Sequence, residues 1–201
     1  MMNDENWHEG AAGMRVIELS QKKFQDYELV FEYETNEQYA VCLNQNADGF
    51  FIELRRQRLP EPICKRFSER LFQRYLAKPS VYAIEVDGNP VAFLELDREF
   101  WINRLRVTDL MVLPEHRRRG YASMLMDKAK EIAQAENFRA IFLDTHSCNV
   151  GAIDFYLSQG FTLGALDTTY YSNTDVERGE VWIGLVYEIN TDSARNWRYQ
   201  S

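Results

Sequence analysis

Residues 112–133, VLPEHRRRGYASMLMDKAKEIA, hold the transition on which the reading of the fold turns. Pro114 ends the run LRVTDLMVL, whose alternating apolar positions are those of a strand. From Tyr121 onward, Ala122, Leu125, Met126, Ala129, Ile132 and Ala133 recur at i, i+3, i+4 and i+7, the spacing of an amphipathic helix. Between strand and helix stand Arg117, Arg118, Arg119 and Gly120, a compact cationic turn in a chain of formal net charge −8.

A chain entering a helix exposes unpaired backbone N–H groups, and their dipoles favour an anion. Gly120 allows close backbone approach and Ala122 leaves the first turn uncrowded. The three arginines add forked donors suited to phosphate oxygens, so the junction has the makings of a pyrophosphate cradle. A solvated basic turn is the plainer alternative. A nucleic-acid patch fits poorly, because the chain is acidic and has no longer basic stripe. Neither a GxxxxGK(S/T) loop nor a GxGxxG fingerprint occurs.

Working outward, RVIEL, YELVFEYE, QYAVCLN and GFFIEL read as strands, and KRFSERLFQRYLA has helical spacing at Phe67, Leu71 and Tyr75. SVYAIEV and PVAFLEL flank an Asp-Gly turn and predict a hairpin. After the central helix come a buried strand, RAIFLDT, then a helix over NVGAIDFYLSQ ended at Gly160, and two closing strands, FTLGALDTTYYS and EVWIGLVYEI. An antiparallel start followed by strand–helix–strand–helix–strand predicts an α+β or mixed α/β sheet flanked by helices.

The 201 residues suit one domain, expected over 14–190, with a disordered extension at 1–13 and a polar tail at 191–201. No apolar stretch approaches membrane-spanning length, and the opening MMNDENWHEGAAGM lacks a signal-peptide core, so a cytoplasmic protein is expected. Cys42, Cys64 and Cys148 are too widely and irregularly spaced for a disulfide framework or a zinc site, and no metal is implied. Between Phe24 and Leu54 lie seven acids and no Lys or Arg, a surface suited to a cationic ligand or simply a solvated one.

DLMVLPEHRRRGYASMLM resembles the acyl-CoA-binding motif (Q/R)-x-x-G-x-(G/A) of the GNAT family of N-acetyltransferases, with Arg117, Gly120 and Ala122 in the three fixed places. FLDTHSCNVGAIDFYLSQGF resembles the segment that follows it, and LDTHSCNVGAIDFYLSQGFTLGALDTTYYSN with VWIGLVYEI is most similar to the streptothricin acetyltransferases within that family. The resemblance implies a mixed, mostly antiparallel sheet in which the strands at 104–113 and 139–145 run parallel and splay to admit the thioester of acetyl-CoA. It further implies backbone contacts to the pantetheine arm from Met111 and Val112, a cradle of Arg117, Arg118, Arg119, Gly120, Tyr121, Ala122 and Ser123, and cofactor contacts from Asn149 and Phe155.

Acetyl transfer to an amine needs a neutral nucleophile, a polarised carbonyl and a proton for the departing thiolate. The resemblance assigns Tyr156 as the acid, the alternative being a core aromatic. It points to Asp144 as the base, at a position where relatives carry a longer Glu; Asp109 is the competing carboxylate, and solvent could serve instead. His116 and His146 read as incidental. The expected reaction is direct transfer in a ternary complex, to a small cationic amine such as a streptothricin-like antibiotic, by a chain that could form a homodimer. The rival readings are a protein N-terminal or lysine acetyltransferase and a non-catalytic acyl-CoA-binding module.

Overall fold

A computed structural model describes residues 14–189; the extension at 1–13 and the tail at 191–201 lie outside the described residues. In order, the elements are β1 (Met14–Leu19), α1 (Gln21–Phe24), β2 (Glu28–Asn46), β3 (Gly49–Arg70), β4 (Ser80–Val86), β5 (Asn89–Glu99), β6 (Arg104–Val112), α2 (Tyr121–Ala135), β7 (Ala140–His146), α3 (Val150–Ser158), β8 (Thr162–Asp167), α4 (Asp175–Arg178) and β9 (Trp182–Glu188). Seven strands form one sheet in the order β1-β4-β5-β6-β7-β9-β8, while β2 and β3 form a separate two-stranded ribbon. Every pairing is antiparallel except β6 with β7.

The hairpin expected around the Asp-Gly turn is β4–β5, with Asp87 and Gly88 both at positive φ. Helix α2 lays Tyr121, Leu125, Met126, Ala129, Ile132 and Ala133 on the sheet, where they join Ile84, Leu94, Leu105, Ile141 and Leu143 in the main core. Burying an aliphatic side chain of this kind contributes about 1.5–3 kcal/mol, enough to hold a 15-residue helix that would be marginal alone. A second cluster, Leu19, Leu29, Leu71, Phe72, Val81, Ala83, Phe93 and Met111, fills the opposite face of the sheet and anchors the base of the ribbon.

The ribbon corrects two expectations. YELVFEYE and QYAVCLN belong to one strand, β2, because Thr35 and Glu37 sit at an irregularity that the strand passes through. The helical spacing of Phe67, Leu71 and Tyr75 is not realised. Phe67 lies in β3, paired with Phe31, and Leu71 and Phe72 turn into the second core cluster. The pairing of Glu28, Glu32 and Glu37 with Arg70, Arg66 and Arg58 across the ribbon favours strand over helix here, since opposite charges meet only in that register.

Candidate active site

Strands β6 and β7 pair only from Arg104↔Ala140 to Arg106↔Phe142 and then diverge, although each keeps its other neighbour. A groove of about 600 Å³ opens where they part. Leu110, Met111 and Val112 form one wall, the start of α2 a second and Asn149, Ala152, Phe155 and Tyr156 a third. Met111 points its side chain into the second core cluster, so its contribution to the groove is largely backbone. Phe31, Glu32 and Tyr33 of β2 complete the groove, and no motif in the sequence marked them.

At the junction, Gly120 adopts φ 83° and ψ 0° and caps α2 without any side-chain hydrogen bond, so the first-turn N–H groups stay open to a ligand. A Cβ placed on Gly120 would meet nothing within 4 Å, which puts free space directly before the helix. Arg117 donates from Nε to the Val112 carbonyl (3.2 Å) and from Nη2 to the Glu32 carbonyl (3.2 Å), tying the turn to both β6 and the ribbon. Arg118, at φ 62°, lines the groove with Tyr121, Ala122 and Ser123. Arg119 is not brought in: it donates to the Glu115 carbonyl (3.1 Å) and lies outside the groove lining. His116 is on the wall, and its buried Nδ1 has no hydrogen-bond partner among the described residues. An orphaned ring nitrogen, open N–H groups and the free space before Gly120 together fit a polyanionic nucleotide tail followed by an extended amide arm.

Asn149 caps α3, its Oδ1 accepting from the Ala152 N–H at 3.3 Å. That cap starts the helix so that Tyr156 falls between the groove and a second cavity of about 950 Å³, lining both. Burial, then the nearby charges of Asp109 and Asp144, raise the Tyr156 phenol well above its ordinary range. It is therefore a protonated donor at neutral pH.

The second cavity is lined by the acids Glu69, Asp97, Glu99, Asp109 and Asp144, with Lys65, Arg66 and Arg106 as its cations. Several of these are already engaged. Asp144 accepts from Arg106 Nη2 at 2.7 Å and from Trp182 Nε1 at 2.9 Å, one donor on each oxygen. Arg106 also reaches Glu99 at 3.6 Å, and Asp97 accepts the N–H groups of Ala77 and Lys78. Aromatic walls come from Phe31 stacked on Phe67 (5.1 Å between ring centres) and Tyr171 stacked on His146 (4.8 Å), with Tyr75, Trp101 and Tyr170 around the mouth. None of the seven acids between Phe24 and Leu54 lines this cavity, so the acidic interval is not its wall. Three of those acids, Glu28, Glu32 and Glu37, instead stand opposite arginines of β3 across the ribbon, and Glu37 makes a 2.6 Å pair with Arg56. The cavity's acidity comes from β3, β5, β6 and β7 instead.

The sequence pattern of the Acetyltransferase (GNAT) family matches residues 48–161. Streptothricin acetyltransferase A of Bacillus subtilis is 29% identical over 119 residues, which cover 54% of this chain and 69% of that protein. The streptothricin acetyltransferase of Streptomyces lavendulae is 30% identical over 95 residues, 47% of this chain, and the match spans only half of its length. The catalytic subunit of the N-terminal acetyltransferase B complex of Schizosaccharomyces pombe is 32% identical over 147 residues, covering 67% of this chain and 81% of its own. Among solved structures, nourseothricin acetyltransferase superposes with a TM-score of 0.68 at 24% identity, over 89% of this chain and 100% of that one. A Bacillus anthracis protein with the provisional name streptothricin acetyltransferase, solved in complex with acetyl coenzyme A, superposes with a TM-score of 0.69 at 21% identity, over 90% and 100%. With the splayed parallel pair and the Arg-Gly junction in place, the chain belongs to the GNAT family of acetyltransferases.

Proposed function

We propose that the chain transfers the acetyl group of acetyl-CoA directly to a primary amine of a small cationic molecule, of the streptothricin-like class. One observation carries this reading: Tyr156 lies where two cavities meet, one bearing the anion cradle and the other lined with carboxylates and aromatic rings. The relatives named for streptothricin and a neighbour solved with acetyl coenzyme A point the same way. Acetyl-CoA, when bound, supplies an acyl group activated as a thioester. Gly120, Tyr121, Ala122 and Ser123 would hold its phosphates by backbone N–H groups, with Arg118 beside them, while β6 offers its unpaired edge at Met111 and Val112 to the amide arm. Tyr156 gives its phenolic proton to the departing thiolate and recovers one from the newly formed amide nitrogen. Asn149 and Phe155 set the position of that phenol, the first by starting α3 and the second by packing edge-on against its ring at 5.3 Å.

A cysteine relay has no support in the geometry: Cys148 is buried with its Sγ 3.7 Å from the Tyr33 hydroxyl, and burial raises its thiol, which disfavours thiolate formation. The S. pombe relative keeps a second acceptor class in view, protein N-termini. The aromatic rings and carboxylates enclosing the larger cavity favour a compact polyamine-like acceptor over an extended backbone. A thiol-release assay with acetyl-CoA tests the assignment, using streptothricin, small polyamines, N-terminal peptides and lysine peptides as acceptors. Consumption of peptides alone would overturn the acceptor class, and thiol release with none of them would overturn the amine.

A cationic acceptor drawn by this cavity also responds to salt. Its KM is expected to rise about threefold or more between roughly 0.02 and 0.3 M ionic strength, because screening shortens the reach of the carboxylates. Steady-state kinetics at fixed acetyl-CoA checks this, and a KM independent of salt would remove electrostatic attraction from acceptor capture.

A further inference from the structure

At the floor of the larger cavity, Glu95 of β5 and Asp109 of β6 stand directly opposite each other in the sheet register, just before an irregularity in the pairing. Glu95 is 1% exposed and Asp109 8%. Such neighbours bring their Cβ atoms within about 4.5–5.5 Å, so the two buried carboxyl groups project from the same face of the sheet and Asp109 feels the charge of Glu95. The arginines nearby serve other acids, Arg106 pairing with Glu99 and Asp144, and Arg98 with Glu136. Two buried carboxylates this close repel each other, so the pair binds one proton firmly near neutral pH and becomes fully ionised, and able to act as a base, as the pH rises through the pKa of that shared proton. Asp109 lines the cavity, whereas Glu95 sits behind it with its oxygens accepting from the Phe72 N–H (2.5 Å) and the Thr108 hydroxyl (2.9 Å).

We propose that Glu95 and Asp109 act as one group, a carboxylate pair that takes the acceptor's ammonium proton and keeps it between the two side chains. Asp109 is the catalytic member and Glu95 the positioning member. The inference rests on the N-acetyltransfer reading above and replaces Asp144 as the base, since both Asp144 oxygens already hold donors. In balance, the ionised pair and R–NH₃⁺ become the singly protonated pair and R–NH₂. The amine nitrogen then bonds to the acetyl carbon as the carbon–sulfur bond breaks, the Tyr156 proton goes to sulfur, and the pair later returns its proton to solvent.

The surroundings strengthen the pair as a base. Glu69 of β3, Asp97 of β5, Asp144 of β7, Tyr75 and the Tyr156 phenol all face it, and Arg106 of β6 is the cation of that wall. Burial first, then the charge of Glu95, pushes Asp109 up to about 8; burial also raises Glu95, while the Phe72 and Thr108 donors oppose that rise. A base poised there can take a proton from an alkylammonium yet release it to solvent at mildly alkaline pH.

The sign of the pH dependence follows. The acid limb of kcat/KM marks protonation of the pair, and Glu95→Gln keeps an acceptor for the Phe72 N–H while removing the like charge, so that limb should move down by about one pH unit or more. Asp109→Asn should lose that limb and lower kcat about 10²-fold, with acetyl-CoA binding unchanged. An infrared pH titration of the protein without substrates reads the shared proton directly. The wild type should show a protonated carboxyl band at pH 7 that disappears on alkalinisation, and Asp109→Asn and Glu95→Gln should each lack it. Absence of the band in folded wild type, its persistence in both variants, or an Asp109→Asn enzyme with wild-type kcat and pH profile would each overturn the pair. Failure of the wild type to bind acetyl-CoA would instead overturn the acetyltransfer reading, because calorimetry measures that binding without any acceptor.

Discussion

Tyr156→Phe is expected to lower turnover about 10²-fold while leaving acetyl-CoA affinity unchanged. General-acid assistance is typically worth about 10²–10⁴-fold, and a thiolate is already a fair leaving group, which places the effect at the low end. The substitution keeps the ring, its edge contact with Phe155 and its packing against Phe161 at 5.8 Å, so the core is preserved. Because product release can mask the chemical step, single-turnover acetylation is the measurement, paired with calorimetric titration of acetyl-CoA. A wild-type single-turnover rate would return Tyr156 to a packing role. If acetyl-CoA affinity fell along with the rate, the hydroxyl would belong to binding instead.

Gly120→Trp is expected to weaken acetyl-CoA binding about 50-fold, equivalent to some 2–3 kcal/mol. Two effects act together. The φ of 83° is one that side-chain-bearing residues adopt at a cost of about 1–2 kcal/mol, and the space before Gly120 would be filled by the indole. Gly120→Ala separates them, since it imposes the backbone cost with little bulk and should bind within about tenfold of wild type. Thermal melts confirm that each variant is folded. Wild-type affinity in a folded Gly120→Trp protein would show that the cradle does not hold the cofactor.

The cofactor half was legible because its signals are local. Strand end, Pro114, Arg-Gly turn and helix occupy consecutive residues, and the apolar spacing of α2 matches its buried face at Leu125, Met126, Ala129, Ile132 and Ala133, while Ala122 turns to the groove. Asn149, Ala152, Phe155 and Tyr156 were equally readable, since a short helix with a capping residue fixes their relative directions. The acceptor half was not. Its walls are drawn from β2, β3, β5, β6, β7 and the segment around Tyr170, which meet only through long-range pairing. KRFSERLFQRYLA shows how local spacing misleads: Phe67 and Leu71 suit a helix, yet the stretch pairs as strand opposite the acids of β2 up to Arg70 and then turns. The acidic interval failed for the same reason, since the arginines opposite Glu28, Glu32 and Glu37 lie more than twenty residues along the chain. Glu95 carried no signal at all within FLELD, where a buried acid in an alternating strand reads as a surface position.

The ribbon leaves the main sheet after Leu19 and the chain returns at Ser80, and Leu19 and Val81 are paired neighbours in β1 and β4. Everything between is an excursion whose two ends meet at one rung. The entropic penalty of such a closure grows only with the logarithm of its length, so lengthening or reshaping it costs the sheet little. Yet Phe31 lines both cavities, Glu32 and Tyr33 reach the groove, and Lys65, Arg66, Phe67 and Glu69 reach the acidic cavity. If the acidic cavity takes the acceptor as proposed, part of its selectivity rests on a segment that can vary without unpairing any of the seven strands. In an evolving population the acidic cavity can thus be reshaped from the ribbon while the seven-stranded sheet keeps its pairing, yet Phe31, Glu32 and Tyr33 tie any such change to the groove beside the Arg-Gly junction.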